Sequence, residues 1–70
     1  MSWSKEQIDY GVLKLDGKNK VRVYKNTSQY ETIQCSDEIK DYRWGGDGVV
    51  ITFTNGKVRR YKSTSQYDNV

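Results

Sequence analysis

Residues 20–33 read KVRVYKNTSQYETI and residues 57–70 read KVRRYKSTSQYDNV. Nine of the fourteen aligned positions are identical, and Asn26/Ser63, Glu31/Asp68 and Ile33/Val70 are conservative exchanges. A self-match this dense within 70 residues marks an internal duplication, which sets the unit of folding and raises the prospect of two equivalent sites.

Working outward from the second copy, Val49-Val50-Ile51-Thr52-Phe53-Thr54 is β-branched and aromatic, the composition of a strand. Asn55-Gly56 follows, the preferred pair for a two-residue type I′ hairpin turn, and residues 57–62 return. This reading pairs Phe53 with Val58, Thr52 with Arg59, Ile51 with Arg60 and Val50 with Tyr61. In the first copy Val12 to Leu15 form a strand, Asp16 to Lys20 a longer turn, and Val21 to Lys25 the return. Leu15 then faces Val21, Lys14 faces Arg22, Leu13 faces Val23 and Val12 faces Tyr24. Strand side chains alternate, so the expected core face carries Leu13, Leu15, Val21 and Val23 with Ile51, Phe53 and Val58. The other face carries Lys14, Arg22, Tyr24, Thr52, Arg59 and Tyr61. Arg60 breaks the pattern by standing where Val23 stands in copy one, which predicts a rim or partner-facing position.

After each hairpin, Ser28-x-x-Glu31 and Ser65-x-x-Asp68 match a capping box and predict a helical turn. Ile39 to Trp44 reads as a joining strand, Gly45-Gly46-Asp47-Gly48 as a flexible turn, and residues 2–10 as a short helical arm. The expected fold is mainly β: a small antiparallel sheet or partly open barrel with pseudo-twofold symmetry. Its parts are an arm (1–10), repeat unit one (11–33), a linker strand with a Gly-rich turn (34–48) and repeat unit two (49–70).

A chain this short buries a modest core and commonly needs a disulfide, a metal or oligomerisation. It contains one cysteine, Cys35, and no histidine, so neither an internal disulfide nor a zinc site is available and a homo-oligomer is expected. No apolar run approaches a membrane helix, and MSWSKEQIDY lacks the apolar core of a signal peptide. With a free thiol, this predicts a cytoplasmic protein. The absence of proline argues against an extended linker.

The net charge is +3, yet eight of the twelve basic residues lie in two acid-free windows, 17–30 and 48–67. Positive charge therefore travels with the repeat, and local clustering is what attracts anions. Catalysis is not expected. Histidine, the usual general acid–base group near neutrality, is missing. The neighbours of Cys35 include Asp37 and Glu38, which disfavour a thiolate and leave it a buried small residue. No P-loop or dinucleotide fingerprint is present, and no cofactor is implied.

What each copy does offer is a set of recognition groups: Lys/Arg for phosphate, a tyrosine face for base stacking, and Thr, Ser and Gln for sugar or base edges. The candidates are Arg22, Tyr24, Lys25, Thr27, Ser28, Gln29 and Tyr30, with counterparts Arg59, Tyr61, Lys62, Thr64, Ser65, Gln66 and Tyr67. The amides of the capped turns are a further phosphate-holding element. Packing alone accounts for part of this set, with Tyr24 and Tyr61 as cross-strand partners, Tyr30 and Tyr67 as core and Ser28 and Ser65 as caps. Trp44 reads as a core plug or a stacking surface, and Trp3, Trp44 and Arg60 are the candidate interface residues.

Residues 36–70 resemble the KTSC domain, a small module found at the C-terminus of some lysyl-tRNA synthetases and also alone. The resemblance rests on Ser36, Ile39, Tyr42, the Val50-x-Thr52-Phe53 strand, Asn55-Gly56 and Tyr61. It implies RNA binding, which is suspected for that family. Arg59 stands where the family has a tyrosine two places before Tyr61, so the Y-x-Y signature is broken. The short, proline-free chain also resembles small phage proteins that counter host defences. The leading expectation is a non-catalytic binder of a phosphate-bearing nucleotide, sequestering a signalling nucleotide. The mild net charge favours a compact ligand over a long duplex. The alternatives are a single-stranded RNA or DNA module and a small inhibitor of a host protein.

Overall fold

The computed structural model describes residues 3–70, so Ser2 of the expected arm lies outside the described residues. Helix α1 (Lys5–Tyr10) begins in a reciprocal capping box: the Gln7 amide donates to Ser4 Oγ (3.2 Å) and the Ser4 amide to Gln7 Oε1 (3.0 Å). It ends at Gly11, whose φ of 65° is the left-handed cap that glycine adopts without strain. Gln7 is buried, and its Nε2 donates to Glu31 Oε1 (3.0 Å), tying the helix to the sheet beneath it.

Seven strands follow: β1 (Leu13–Asp16), β2 (Lys20–Tyr24), β3 (Tyr30–Gln34), β4 (Ile39–Gly45), β5 (Gly48–Phe53), β6 (Val58–Tyr61) and β7 (Tyr67–Asn69). They form two antiparallel sheets, β1-β2-β3 and β4-β5-β6-β7, which do not close into a barrel. The mainly β fold is thus as expected, with β4 as the joining strand. The segments after the hairpins are not helical. Each is a five-residue loop followed by a third strand, β3 or β7. The loops close through Asn26 Oδ1, which accepts from the Ser28 and Gln29 amides (3.0 and 2.9 Å), and through Ser63 Oγ, which accepts from Ser65 and Gln66 (3.4 and 3.2 Å). The capping residues are therefore Asn26 and Ser63, two positions before the serines that the motif marks. Tyr30 and Tyr67 are free to extend opposite Tyr24 and Tyr61.

The duplication is structural over three strands. Leu13↔Val23, Arg22↔Thr32 and Tyr24↔Tyr30 in the first sheet reappear at one constant spacing as Val50↔Arg60, Arg59↔Asn69 and Tyr61↔Tyr67. The first hairpin has the expected register. The second is displaced by one residue: Thr52 pairs with Val58, Ile51 with Arg59, Val50 with Arg60 and Val49 with Tyr61. The cause is the turn. A type I′ turn needs positive φ at both central residues, but Gly56 (φ 90°) alone has it and Asn55 does not. Phe53 instead closes on Lys57 (2.9 Å) around the three-residue loop Thr54-Asn55-Gly56, equal in length to Gly17-Lys18-Asn19.

A one-residue slip moves every side chain to the other face. In copy one Val21, Val23 and Ile33 point inward, each fully buried. In copy two the inward set is Val49, Ile51, Phe53 and Tyr61 with Arg59 beside them, while Val58 and Arg60 turn outward. Trp3, Cys35 and Ile39 complete a single core to which both sheets contribute. The tip of the first hairpin joins the linker through Cys35 N to Asn19 O and Ile39 N to Lys18 O, both 2.8 Å.

Candidate ligand-binding clusters

Each copy builds the same group of three side chains. Tyr24 and Tyr30 sit directly opposite on β2 and β3, with ring centroids 5.1 Å apart and planes inclined by 40°. Arg22, one step along the same face, lays its guanidinium 4.7 Å from the centre of the Tyr30 ring. In copy two the Tyr61 and Tyr67 rings are 5.0 Å apart at 41°, and Arg59 lies 4.4 Å over Tyr67. Cross-strand aromatic pairs and Arg-on-ring stacks are each favourable, so both groups are held together by contacts within the chain. Tyr30 and Tyr67 keep large exposed areas, 46% and 42%.

The surroundings differ. Cluster one lies on the outer face of the first sheet, with Lys14, Lys20 and Thr32, and Lys14 Nζ is 5.5 Å from the Tyr24 ring centre. Asp16 on this face pairs with Arg22 (3.2 Å). In copy two Phe53 occupies the position of Asp16, and Arg59 lies 5.3 Å from its ring. Arg59 has no carboxylate within ion-pair distance among the described residues. Its Nη1 makes a long contact of 3.5 Å to the Tyr61 hydroxyl, which in turn meets Cys35 Sγ at 3.5 Å. Burial pushes the Tyr61 hydroxyl up to about 12 and raises the Cys35 thiol as well, so both stay protonated at neutral pH. Cys35 is buried, as expected.

The predicted site residues separate into three groups. Arg22, Tyr24 and Tyr30 come together at the surface. Arg59, Tyr61 and Tyr67 also come together, but Tyr61 is only 3% exposed and belongs to the core. Lys25, Thr27, Ser28 and Gln29, with Lys62, Thr64, Ser65 and Gln66, form the loops, where the amides expected to hold phosphate are already taken by Asn26 and Ser63. Lys62 pairs with Asp68 (3.1 Å). The interface anchors are used within the chain. Trp3 is 6% exposed, donates from Nε1 to Tyr61 O (2.9 Å) and packs edge-on against Trp44, 6.3 Å between ring centres. Arg60 donates to Gly45 O (3.2 Å) and to Asp47, clamping the tight turn between β4 and β5.

Sequence reasoning missed Asp16 and Phe53, the pair that distinguishes the clusters, because the repeat match begins only at Lys20. Continuing the alignment backwards at constant spacing finds them. Among the described residues no three His, Cys, Asp or Glu side chains come together to hold a metal, and no helix is long and apolar enough to cross a membrane. No family model matches the chain, and neither the curated proteins nor the solved structures offer a match.

Proposed function

We propose that this protein is a non-catalytic binder of a phosphate-bearing nucleotide. The observation that carries the reading is the Arg-over-Tyr stack, built twice in one register with an exposed tyrosine each time. Arginine supplies the charge-assisted donors that phosphate needs, and the tyrosine offers a face to a base. Isothermal titration with nucleoside 5′-phosphates tests it. Wild type binds, and a variant with Arg22→Gln and Arg59→Gln together, folded by circular dichroism, does not. Undiminished affinity in that double variant refutes the reading. Native mass spectrometry of gently purified protein reports captured ligand and any homo-oligomer in one measurement.

A second reading has its own support. The outer face of the first sheet presents Lys14, Lys20, Arg22, Tyr24 and Tyr30 on an open surface, whereas small ligands favour concave sites. Such a face suits the unstacked bases of a single strand. Single-stranded oligonucleotides then bind more tightly than mononucleotides, and their affinity falls steeply with salt.

A further inference from the structure

The two clusters have the same geometry but not the same electrostatics. Arg22 is neutralised by Asp16, while Arg59 has an aromatic ring at that position and no acidic partner among the described residues. Both guanidinium groups keep a solvent-shielded Nε–H without an acceptor. Only Arg59 combines this with adjacent space and with no carboxylate in direct contact among the described residues, Asp37 acting on it from a distance. A shallow cleft of about 330 Å³ runs along the end of β6 and β7, lined by Gly56, Lys57, Val58, Arg59, Asn69 and Val70. It contains two cations, one amide side chain and no acidic side chain. Lys57, the first residue after the turn, is exposed and has no ion-pair partner among the described residues.

We infer that this cleft is the phosphate subsite, with Arg59 and Lys57 as its donors, and that the duplicated copies have diverged: copy two takes the anion, while the Arg22 cluster is held by its own carboxylate. The inference rests on the nucleotide reading above and assigns its charged end to one of two look-alike sites. The guanidinium, fixed between Phe53 and Tyr67, meets a phosphoryl oxygen without having to be ordered first. Lys57 supplies a second, mobile charge from the turn, and Asn69 a neutral donor. Arg22 would have to give up Asp16 to do the same.

The test uses the whole chain and inorganic pyrophosphate as probe, followed by backbone amide chemical shifts and by calorimetry. The expected result is saturable binding with shifts centred on residues 56–59 and 69–70. Arg59→Gln and Lys57→Gln each weaken it by about tenfold or more, and Arg22→Gln by less than about twofold. Lys57 is exposed, so its variant keeps the test decisive if Arg59→Gln loosens the sheet. Equal or greater loss in Arg22→Gln, shifts centred on residues 14–24, or no pyrophosphate binding by folded wild type each overturn the assignment. The two proposals fail separately. Pyrophosphate bound at Arg59 with no added affinity from a nucleoside defeats the nucleotide reading and leaves the subsite standing. Nucleotide binding that survives Arg59→Gln and Lys57→Gln does the reverse.

Discussion

Replacing Trp3 tests how this small fold is held together. Trp3 precedes the helix, lies outside both sheets and is nonetheless 6% exposed. Truncating a buried tryptophan to alanine costs about 3–5 kcal/mol through lost burial and the cavity left behind. The Trp3→Ala change also removes the donor to the Tyr61 carbonyl and the edge contact with Trp44. A domain of this length has about 4–10 kcal/mol of stability in total, so Trp3→Ala consumes a large share and leaves the protein partly unfolded at 37 °C. Trp3→Phe retains most of the ring but strands the carbonyl. It costs about 1–2 kcal/mol, a fall of about 5–15 °C in Tm. Urea unfolding followed by far-UV circular dichroism, at protein concentrations spanning two decades, measures both. A Trp3→Ala protein within about 0.5 kcal/mol of wild type refutes the intramolecular role. A wild-type midpoint that rises with concentration, and no longer does so in Trp3→Ala, returns the indole to an interface between copies.

Two further predictions follow from the opposite facing of the copies. Val23→Arg buries an unpaired charge at a fully enclosed position and unfolds the domain, whereas Arg60→Val, on the outer face, loses only the clamp on Gly45 and Asp47 and costs about 1 kcal/mol, both read by urea melts. The raised Tyr61 hydroxyl makes the fold sensitive to alkali: between about pH 10 and 12 the folded chain keeps a proton that the unfolded chain has released, so stability falls across that window by up to about 2–3 kcal/mol, with Cys35 acting in the same sense from a lower pH. The difference between wild type and Tyr61→Phe isolates this loss, and a difference that stays constant from pH 9 to 12 contradicts it.

The β-rich class, the duplication, the first hairpin and the joining strand were all legible, because alternation and composition act locally there. Leu13 and Leu15 lie directly opposite Val23 and Val21, so the four apolar residues share one face, although Leu15, expected in the core, is 41% exposed. The register of the second hairpin differs from the expectation because Asn55-Gly56 reads as a two-residue type I′ turn, which sets Phe53 against Val58, whereas the turn takes three residues, Thr54-Asn55-Gly56. Constant spacing was the better guide, since duplicated backbone retains its register more faithfully than its hydrophobic parity. The third strands were missed because Ser28-x-x-Glu31 and Ser65-x-x-Asp68 look like helix starts, while Asn26 and Ser63 close the loops first. Within the site, the Arg22–Tyr24–Tyr30 and Arg59–Tyr61–Tyr67 groupings could be drawn from the repeat. The burial of Tyr61 could not, because it depends on which face β5 makes apolar.

That dependence explains how one stretch serves in two orientations. KVRVY has two usable faces: valines on one, and on the other an arginine and a tyrosine whose long stems and rings also tolerate partial burial. Beside β1, with Leu13 and Leu15 opposite the valines, the valine face turns inward. Beside β5 the apolar residues Val49, Ile51 and Phe53 stand opposite the Arg–Tyr face, and Arg60 in place of Val23 makes the other face polar. These two changes act in concert. Either alone would oppose an apolar face to a polar one or bury a charge. Their joint effect on chemistry is larger than their effect on shape. The Arg–Tyr–Tyr group survives intact in both orientations, because its contacts lie within two adjacent strands. What changes is the neighbour supplied by the preceding strand, a carboxylate in one case and a phenyl ring in the other. A duplicated sheet can therefore pair the arginine of one copy with a carboxylate and set that of the other against a phenyl ring without moving any residue of the repeated cluster.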